Sequence, residues 1–294
     1  MTHKQTVLVF TATGRTGGSV INGLLDSHKF NVIAGIRAVS QDKPEVEKLK
    51  SRGAEIRIFE RDTFDDRTVD ILRGVDVLIM SAVGSTIDAQ KQLVDAAKKA
   101  GVKRVVSNDW AAPTLRGVHQ YYDSKAVLRD YIREVGIGYT VIDVGIWHQI
   151  AFQPLDESRE TYPGQFERFT KIYGGGDVKS AFTDLRDIGT FVARIIDNPR
   201  SLNHYVFIWG EEATKKQILD IAEKEKQLAD ARVAGGFPQV MIEYEYSVWV
   251  RGDNVIEKAK TPEYGGALDA RELYPDIKPR TLTDYAQSFY AGSV

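Results

Sequence analysis

Two stretches of this sequence bring together groups suited to moving a proton and holding phosphate. The first is Tyr121-Tyr-Asp-Ser-Lys125. A tyrosine and a lysine four residues apart share one face of a helix, about one turn from each other. An ammonium beside a phenol favours the phenolate, lowering its pKa from about 10, so the phenol can serve as acid or base nearer neutrality. Ser107 and Asn108 precede Tyr121 by 14 and 13 residues and could present a third hydrogen-bonding group to the same place. Thirteen tyrosines give about one such pair by chance, and a surface pair covering a helix is the alternative.

The second stretch is Thr11-Ala-Thr13-Gly14-Arg15-Thr16-Gly17-Gly18, lying between a β-branched run and a helical one. Small residues there let the backbone turn sharply, approach a pyrophosphate and aim free helix N–H groups at it. The spacing is that of a glycine-rich dinucleotide loop, with Thr11 where the first glycine usually stands. A plain strand-to-helix turn is the alternative. An acidic residue at the end of the second strand would mark NAD. Here that strand ends Gly35-Ile36-Arg37, with Lys43 six residues on. A guanidinium in that place suits a 2′-phosphate, so the expected cofactor is NADP(H); a solvated arginine is the alternative.

Such groups need a frame. Strand-like runs at Thr6–Phe10, Asn31–Ile36, Glu55–Phe59, Asp76–Ser81, Arg104–Ser107 and Tyr139–Val144 alternate with helical spacing over 15–27, 43–53, 65–73, 87–101 and 120–135. Strict alternation of this kind predicts an α/β fold, a doubly wound parallel Rossmann sheet. After residue 150 the alternation ends. The stretch Phe152–Phe169 reads as irregular. Beyond it the expected elements are a strand near His204–Trp209, a helix near Thr214–Ala231, a strand near Val240–Val250 and a helix near Leu282–Tyr290. The expected organisation is an NADP-binding core over residues 1–150 and a smaller α+β substrate lobe over 151–294, with a strand near 203–209 returning to the core.

Bulk properties narrow the function classes. The chain has 294 residues, 43% hydrophobic and 27% charged, with net charge −2. That charge leaves no basic footprint for nucleic acid or anionic lipid. The absence of cysteine removes disulfides, thiolate nucleophiles and cysteine-ligated zinc. The histidines and carboxylates show no metal-ligand spacing, and no apolar run reaches the roughly 20 residues of a membrane span. The simple reading is a cytoplasmic monomer or homodimer acting on a small molecule.

Ligands of open α/β sheets bind beyond the carboxyl ends of the strands. Trp110 follows the fifth strand, and Trp147 and His148 follow the sixth. Tyr173, with Tyr162, Phe166 and Phe169 from the irregular stretch, could add to an aromatic pocket. Packing between lobes is the alternative for each ring, and a lone histidine such as His148 is more often structural.

Several motifs together resemble an atypical short-chain dehydrogenase/reductase of the NmrA-like type, close to the isoflavone reductase and phenylcoumaran benzylic ether reductase branch. They are TATGRTGGSVINGLL, Arg37 with Lys43, Asp88-Ala-Gln90 leading into AAKKAGVKRVV, Ser107-Asn-Asp-Trp110, Lys125-Ala-Val-Leu-Arg129 with GIGYTVI, and IYGGGDVKSAFTDLRDIG around residues 171–189. The resemblance covers roughly residues 5–225. It implies that Thr11, Thr13, Gly14, Arg15, Thr16, Gly17, Arg37 and Lys43 hold the cofactor. Ala82 and Val83 after the fourth strand join that expected set, as do Lys125 and Arg129. Lys125 maps to the family's proton-transfer residue. The departures are Thr11 for glycine, Ser107-Asn-Asp-Trp110 where the plant enzymes resemble Pro-Ser-Glu-Phe, and Tyr121, which the plant branch generally lacks and extended short-chain dehydrogenases have. Reduction of a carbonyl, an ene or a benzylic substrate all stay open. So does a dinucleotide-sensing regulator of the NmrA kind that has no turnover; the Tyr121–Lys125 pair favours the enzyme.

Overall fold

The computed structural model describes residues 4–60, 64–81, 86–152, 171–225, 244 and 246–292. In chain order the elements are β1 (Thr6–Phe10), α1 (Arg15–Ser27), β2 (Asn31–Arg37), α2 (Pro44–Ser51), β3 (Glu55–Phe59), α3 (Asp66–Leu72), β4 (Val77–Met80), α4 (Ile87–Lys99), β5 (Arg104–Val106), α5 (Gln120–Val135) and β6 (Gly138–Asp143). Then come β7 (Ile146–Trp147), α6 (His148–Phe152), β8 (Lys179–Thr183), α7 (Leu185–Asp197), β9 (His204–Phe207), β10 (Glu211–Thr214), α8 (Lys215–Glu225) and, after short helical turns, α9 (Leu282–Tyr290). Among the described residues no helix is long and apolar enough to cross a membrane.

Two compact units emerge, and neither is one continuous stretch. The first joins Met1–Trp110, Ser124–Ile142 and Arg186–Val206. Seven strands of its sheet run in the order β9-β6-β5-β4-β1-β2-β3. The neighbouring pairs from β3 to β6 are all parallel. The doubly wound Rossmann arrangement follows, and its strand order reverses between β1 and β4. β1 and β4 are buried along nearly their whole length, as strands covered on both faces must be. One core cluster joins Leu8, Leu78, Leu93, Leu128 and Ile132, so the sheet, α4 and α5 share one apolar layer.

Helix α7 of this unit is absent from the sequence expectation. Its Ile188, Phe191, Val192, Ile195 and Ile196 form a buried stripe at helical spacing. It meets α1 at a glycine pair. A Cβ on Gly23 would lie 2.1 Å from the Gly189 carbonyl carbon, and the Gly189 N–H donates to Ser19 Oγ at 3.0 Å. Only glycine allows that approach.

The second unit joins Ala111–Asp123, Asp143–Leu185 and Phe207–Val294. Its three-stranded sheet has the order β10-β8-β7, with β10 antiparallel and β7 parallel to β8. The core gathers Phe152, Phe182, Trp249, Leu282, Tyr285 and Phe289. One expectation is corrected here. The strand read near Val240–Val250 is, over Tyr246–Val250, a turn of π-helix. Alternating apolar residues favoured a strand, yet Ser247, Val248 and Trp249 are buried in succession, which a half-buried strand with alternate residues facing out does not do. Residues 240–243, like most of the irregular stretch with Tyr162, Phe166 and Phe169, lie outside the described residues.

Candidate active site

β1 runs directly into the glycine loop. Thr11 takes a left-handed conformation, φ 61°, in the place where glycine is usual, so the turn is made despite its Cβ. Its carbonyl accepts the Gly14 N–H at 2.9 Å. Its hydroxyl pairs with Ser81 Oγ at 3.2 Å, and Ser81 in turn donates to the Phe10 carbonyl at 2.7 Å. Gly17 is closed in by the same groups, for a Cβ there would lie 2.3 Å from the Thr11 carbonyl oxygen and 2.8 Å from Ser81 Oγ. Gly14 is exposed and caps α1 without a side-chain acceptor. By contrast Asp65, Thr86 and Thr281 cap α3, α4 and α9 with their side chains. The first turn of α1 carries no acidic residue. Thr13 is half-buried, Thr16 buried and Arg15 exposed; partial burial pulls the Arg15 guanidinium pKa below its usual value. An uncapped, acid-free helix start behind a small-residue turn has the donors and the field that a pyrophosphate needs.

Arg37 ends β2, and Lys43 stands at the start of α2. Both are exposed, and among the described residues neither side chain has an ion pair. Two uncommitted cations at the end of the second strand fit a 2′-phosphate. Ala82 and Val83 lie outside the described residues.

The loop after β5 is held from three sides. The Ser107 N–H bonds the Thr140 carbonyl at 3.2 Å and the Trp110 N–H bonds the Ile142 carbonyl at 3.0 Å, tying it to β6. The Trp110 indole donates to the Met80 carbonyl at 2.7 Å, which ties it to β4. Trp110 has φ 47° and is 8% exposed, so its N–H is spent inside the first unit. The third tie runs to α5. Asp109 accepts from Arg129 Nε at 2.7 Å and Nη2 at 2.6 Å, and also from the Ser107 hydroxyl. The Lys125 ammonium donates to the carbonyls of Asn108, at 2.9 Å, and Asp109. Lys125 is 9% exposed and Arg129 8%. Arg129, which the family resemblance associates with the cofactor, is thus engaged with Asp109 and lies 5.7 Å from the Tyr205 ring.

Because β1, β4 and β5 are parallel neighbours, the glycine loop and the Lys125 cradle leave the same end of the sheet. They are two strand spacings apart, or about 10 Å. The reversal of strand order between β1 and β4 places the ligand crevice of such sheets at that end. A cavity of about 380 Å³ lined by Lys4, His28, Arg52 and Glu55, among others, lies at the amino end of β2 instead. We give that cavity no part in the chemistry, because the loops and cations that could hold a cofactor are at the opposite end.

Other candidates belong to the second unit. Tyr121 lies one helical turn before Lys125 on α5 and is 45% exposed. Its ring stacks on His119 and meets Tyr244 edge-on. Trp147 and Tyr173 are half-buried, the Tyr173 ring lying 5.5 Å from the Lys171 ammonium. His148 is wholly enclosed, with Nδ1 3.9 Å from Asp184 Oδ2 and its ring 5.7 Å from that of Tyr285. Asp184 is fixed by Gln149 at 2.8 Å. Sequence reasoning did not single out Asp109, although its place between Ser107 and Trp110 in a quoted motif was a signal. It also missed the buried Asp253, which accepts hydrogen bonds from Thr114, Ser247, Arg251 and Tyr264. Among the described residues no cluster of histidine and carboxylate could hold a metal ion.

The NmrA-like family model matches residues 3–286. Asnovolin J 5′,6′-dehydrogenase of Aspergillus novofumigatus is 30% identical, covering 99% of this chain and 97% of its own. A phenylcoumaran benzylic ether reductase of Betula pendula is 26% identical, covering 98% and 100%. Among solved structures, one from a study of pinoresinol-lariciresinol and phenylcoumaran benzylic ether reductases superposes with a TM-score of 0.79 at 23% identity, covering 98% and 99%. At that identity the likeness is one of fold.

Proposed function

We propose that this chain, which belongs to the NmrA-like family, is an NADP(H)-dependent oxidoreductase that reduces a small aromatic or conjugated carbonyl, ene or benzylic substrate in the cytoplasm. The observation that carries this reading is the buried Lys125 ammonium, held on two backbone carbonyls at the sheet end from which the glycine loop also leaves.

In this reading the loop from Thr11 to Gly17 and the start of α1 hold the pyrophosphate, and Arg37 with Lys43 holds the 2′-phosphate. When bound, the nicotinamide supplies the hydride. Lys125 gives a proton from Nζ to the substrate atom that gains negative charge, and the Asn108 and Asp109 carbonyls aim it. Tyr121, one turn before Lys125 on α5, offers aromatic surface for the substrate. Relatives named as a dehydrogenase and as a reductase support the oxidoreductase class.

The test is turnover. Loss of NADPH absorbance is followed with aromatic aldehydes, ketones, enones and benzylic ethers. Lys125→Met at saturating NADPH should then cut kcat by about 10²–10⁴-fold, the usual worth of a positioned acid or base. A dinucleotide-binding regulator would instead bind NADPH, turn over none of these compounds, and capture a protein partner in a cofactor-dependent way. That result would end the enzyme reading.

A further inference from the structure

We infer that Asp109 is a positioning residue for Lys125, acting through Arg129; the inference rests on the reading of Lys125 as the proton-transfer group. Lys125 and Arg129 are four residues apart on α5, so their side chains leave the same face one turn from each other. The two cations meet the same short segment in different ways. Arg129 takes the Asp109 carboxylate at 2.6–2.7 Å, while Lys125 takes the Asn108 and Asp109 carbonyls. Asp109 therefore contributes its side chain to one cation and its backbone to the other. Its remaining carboxylate oxygen is filled by Ser107, at the point where β5 ends.

The carbonyl cradle is made of loop, and loop backbone is free to turn unless something fixes it. Bonds to β6 and β4 fix the ends at Ser107 and Trp110. Between those ends, the Asp109 N–H bonds the Ser107 carbonyl at 2.9 Å, and the Asp109 carboxylate adds the tie to α5 through Arg129, its 2% exposure keeping water from competing. Rotation of the Asp109 peptide would take away a carbonyl that aims the ammonium. Misplacement of a reacting group by about 1 Å costs on the order of 10²-fold in rate.

Asp109→Asn, Asp109→Asn/Arg129→Met and Lys125→Met test this together, with kcat, NADPH affinity and melting temperature measured on each full-length protein. The double variant matters because removing the carboxylate alone takes the counter-charge from a buried guanidinium and destabilises the fold, whereas removing both charges costs much less. The expected result for the double variant is a folded protein with NADPH affinity within about 3-fold of wild type and kcat lower by about 10–100-fold. Wild-type kcat in the double variant, beside a crippled Lys125→Met, would show Asp109 to be structural only and overturn the inference alone. A loss of NADPH affinity as large as the loss of kcat would mean the pair serves the cofactor, which also overturns it. Normal turnover in Lys125→Met would bring down this inference together with the assignment of the lysine.

Discussion

Arg37→Ala separates cofactor recognition from stability more cleanly than any other change in the site. The guanidinium is exposed and has no ion pair among the described residues. Its backbone supports the turn Ala38–Ser40, and alanine keeps that backbone. Folding stability should therefore move by no more than about 0.5 kcal/mol, and any change in affinity reports on the ligand. A charge-assisted contact to a phosphate contributes about 1.5–3 kcal/mol. At about 1.36 kcal/mol per tenfold, the NADPH dissociation constant should rise by about 10–150-fold. NADH has no 2′-phosphate, so its constant should change by less than about 2-fold on the same scale. Calorimetric titration of both cofactors, at low and high salt, checks this. The wild-type preference for NADPH should shrink as salt screens an exposed site. Equal losses for NADPH and NADH would refute the placement of the 2′-phosphate at Arg37.

Four further outcomes follow from the same structure. Gly14→Val should abolish binding of either dinucleotide and leave the melting temperature nearly unchanged, since a Cβ at this exposed position meets the Thr11 carbonyl oxygen at 3.2 Å and Thr11 Oγ1 at 4.0 Å. Gly17→Ala should instead lower stability by about 1–3 kcal/mol, because its Cβ falls 2.3 Å from that carbonyl oxygen; NADPH affinity surviving in Gly14→Val would put the pyrophosphate elsewhere. Tyr121→Phe should cost far less turnover than Lys125→Met, given a ring 45% exposed and set against His119 and Tyr244; equal losses would make the phenol the proton donor. At Asp253, burial pushes the carboxyl pKa up, but hydrogen bonds from Tyr264, Thr114, Arg251 and Ser247 outweigh it and the net shift is down. The stability it contributes is thus complete above the unfolded value near 3.9 and is lost as pH falls through the lower folded value. Melting temperatures from neutral to acid pH should drop less steeply in Asp253→Asn than in wild type, and parallel curves would contradict this.

Much of the first unit was legible because its signals are local. β1, β3, α1 and α5 begin and end where β-branched runs and helical spacing put them; β1, buried on both faces, is nearly all apolar. The turn after β1 and the basic end of β2 were legible as local structure for a similar reason, since both lie in residue type at fixed spacing. What escaped depends on distant neighbours. β7 is two residues long, too short to show any period. Tyr246–Val250 has the β-branched and aromatic residues of a strand, but the burial of Ser247, Val248 and Trp249 and the packing of Trp249 against Phe182 appear only in the fold. Helix α7 had the period, yet its place was set by Gly23 and Gly189, 166 positions apart in the chain. Topology brought His148 past the sixth strand, but its enclosure beside Asp184 and Tyr285 depends on elements far along the sequence.

The site's strained backbone has a common support. Thr11 and Trp110 are both non-glycine residues in the left-handed region, at φ 61° and 47°, and each opens or closes a loop at the carboxyl end of a parallel strand. Such a residue costs on the order of 1–3 kcal/mol and persists only where its surroundings over-determine it. Both find that support at one place, the end of β4. Trp110 donates to the Met80 carbonyl, and Thr11 pairs with the Ser81 hydroxyl next to it. β4 lies between β1 and β5 in the sheet, so one strand end braces the glycine loop on one side and the Lys125 cradle on the other. In the proposed reading, fixing both loops to one rigid strand would set the distance from pyrophosphate to ammonium without relying on either loop's own stiffness. A hydride donor and a proton donor acting on one substrate need that distance fixed.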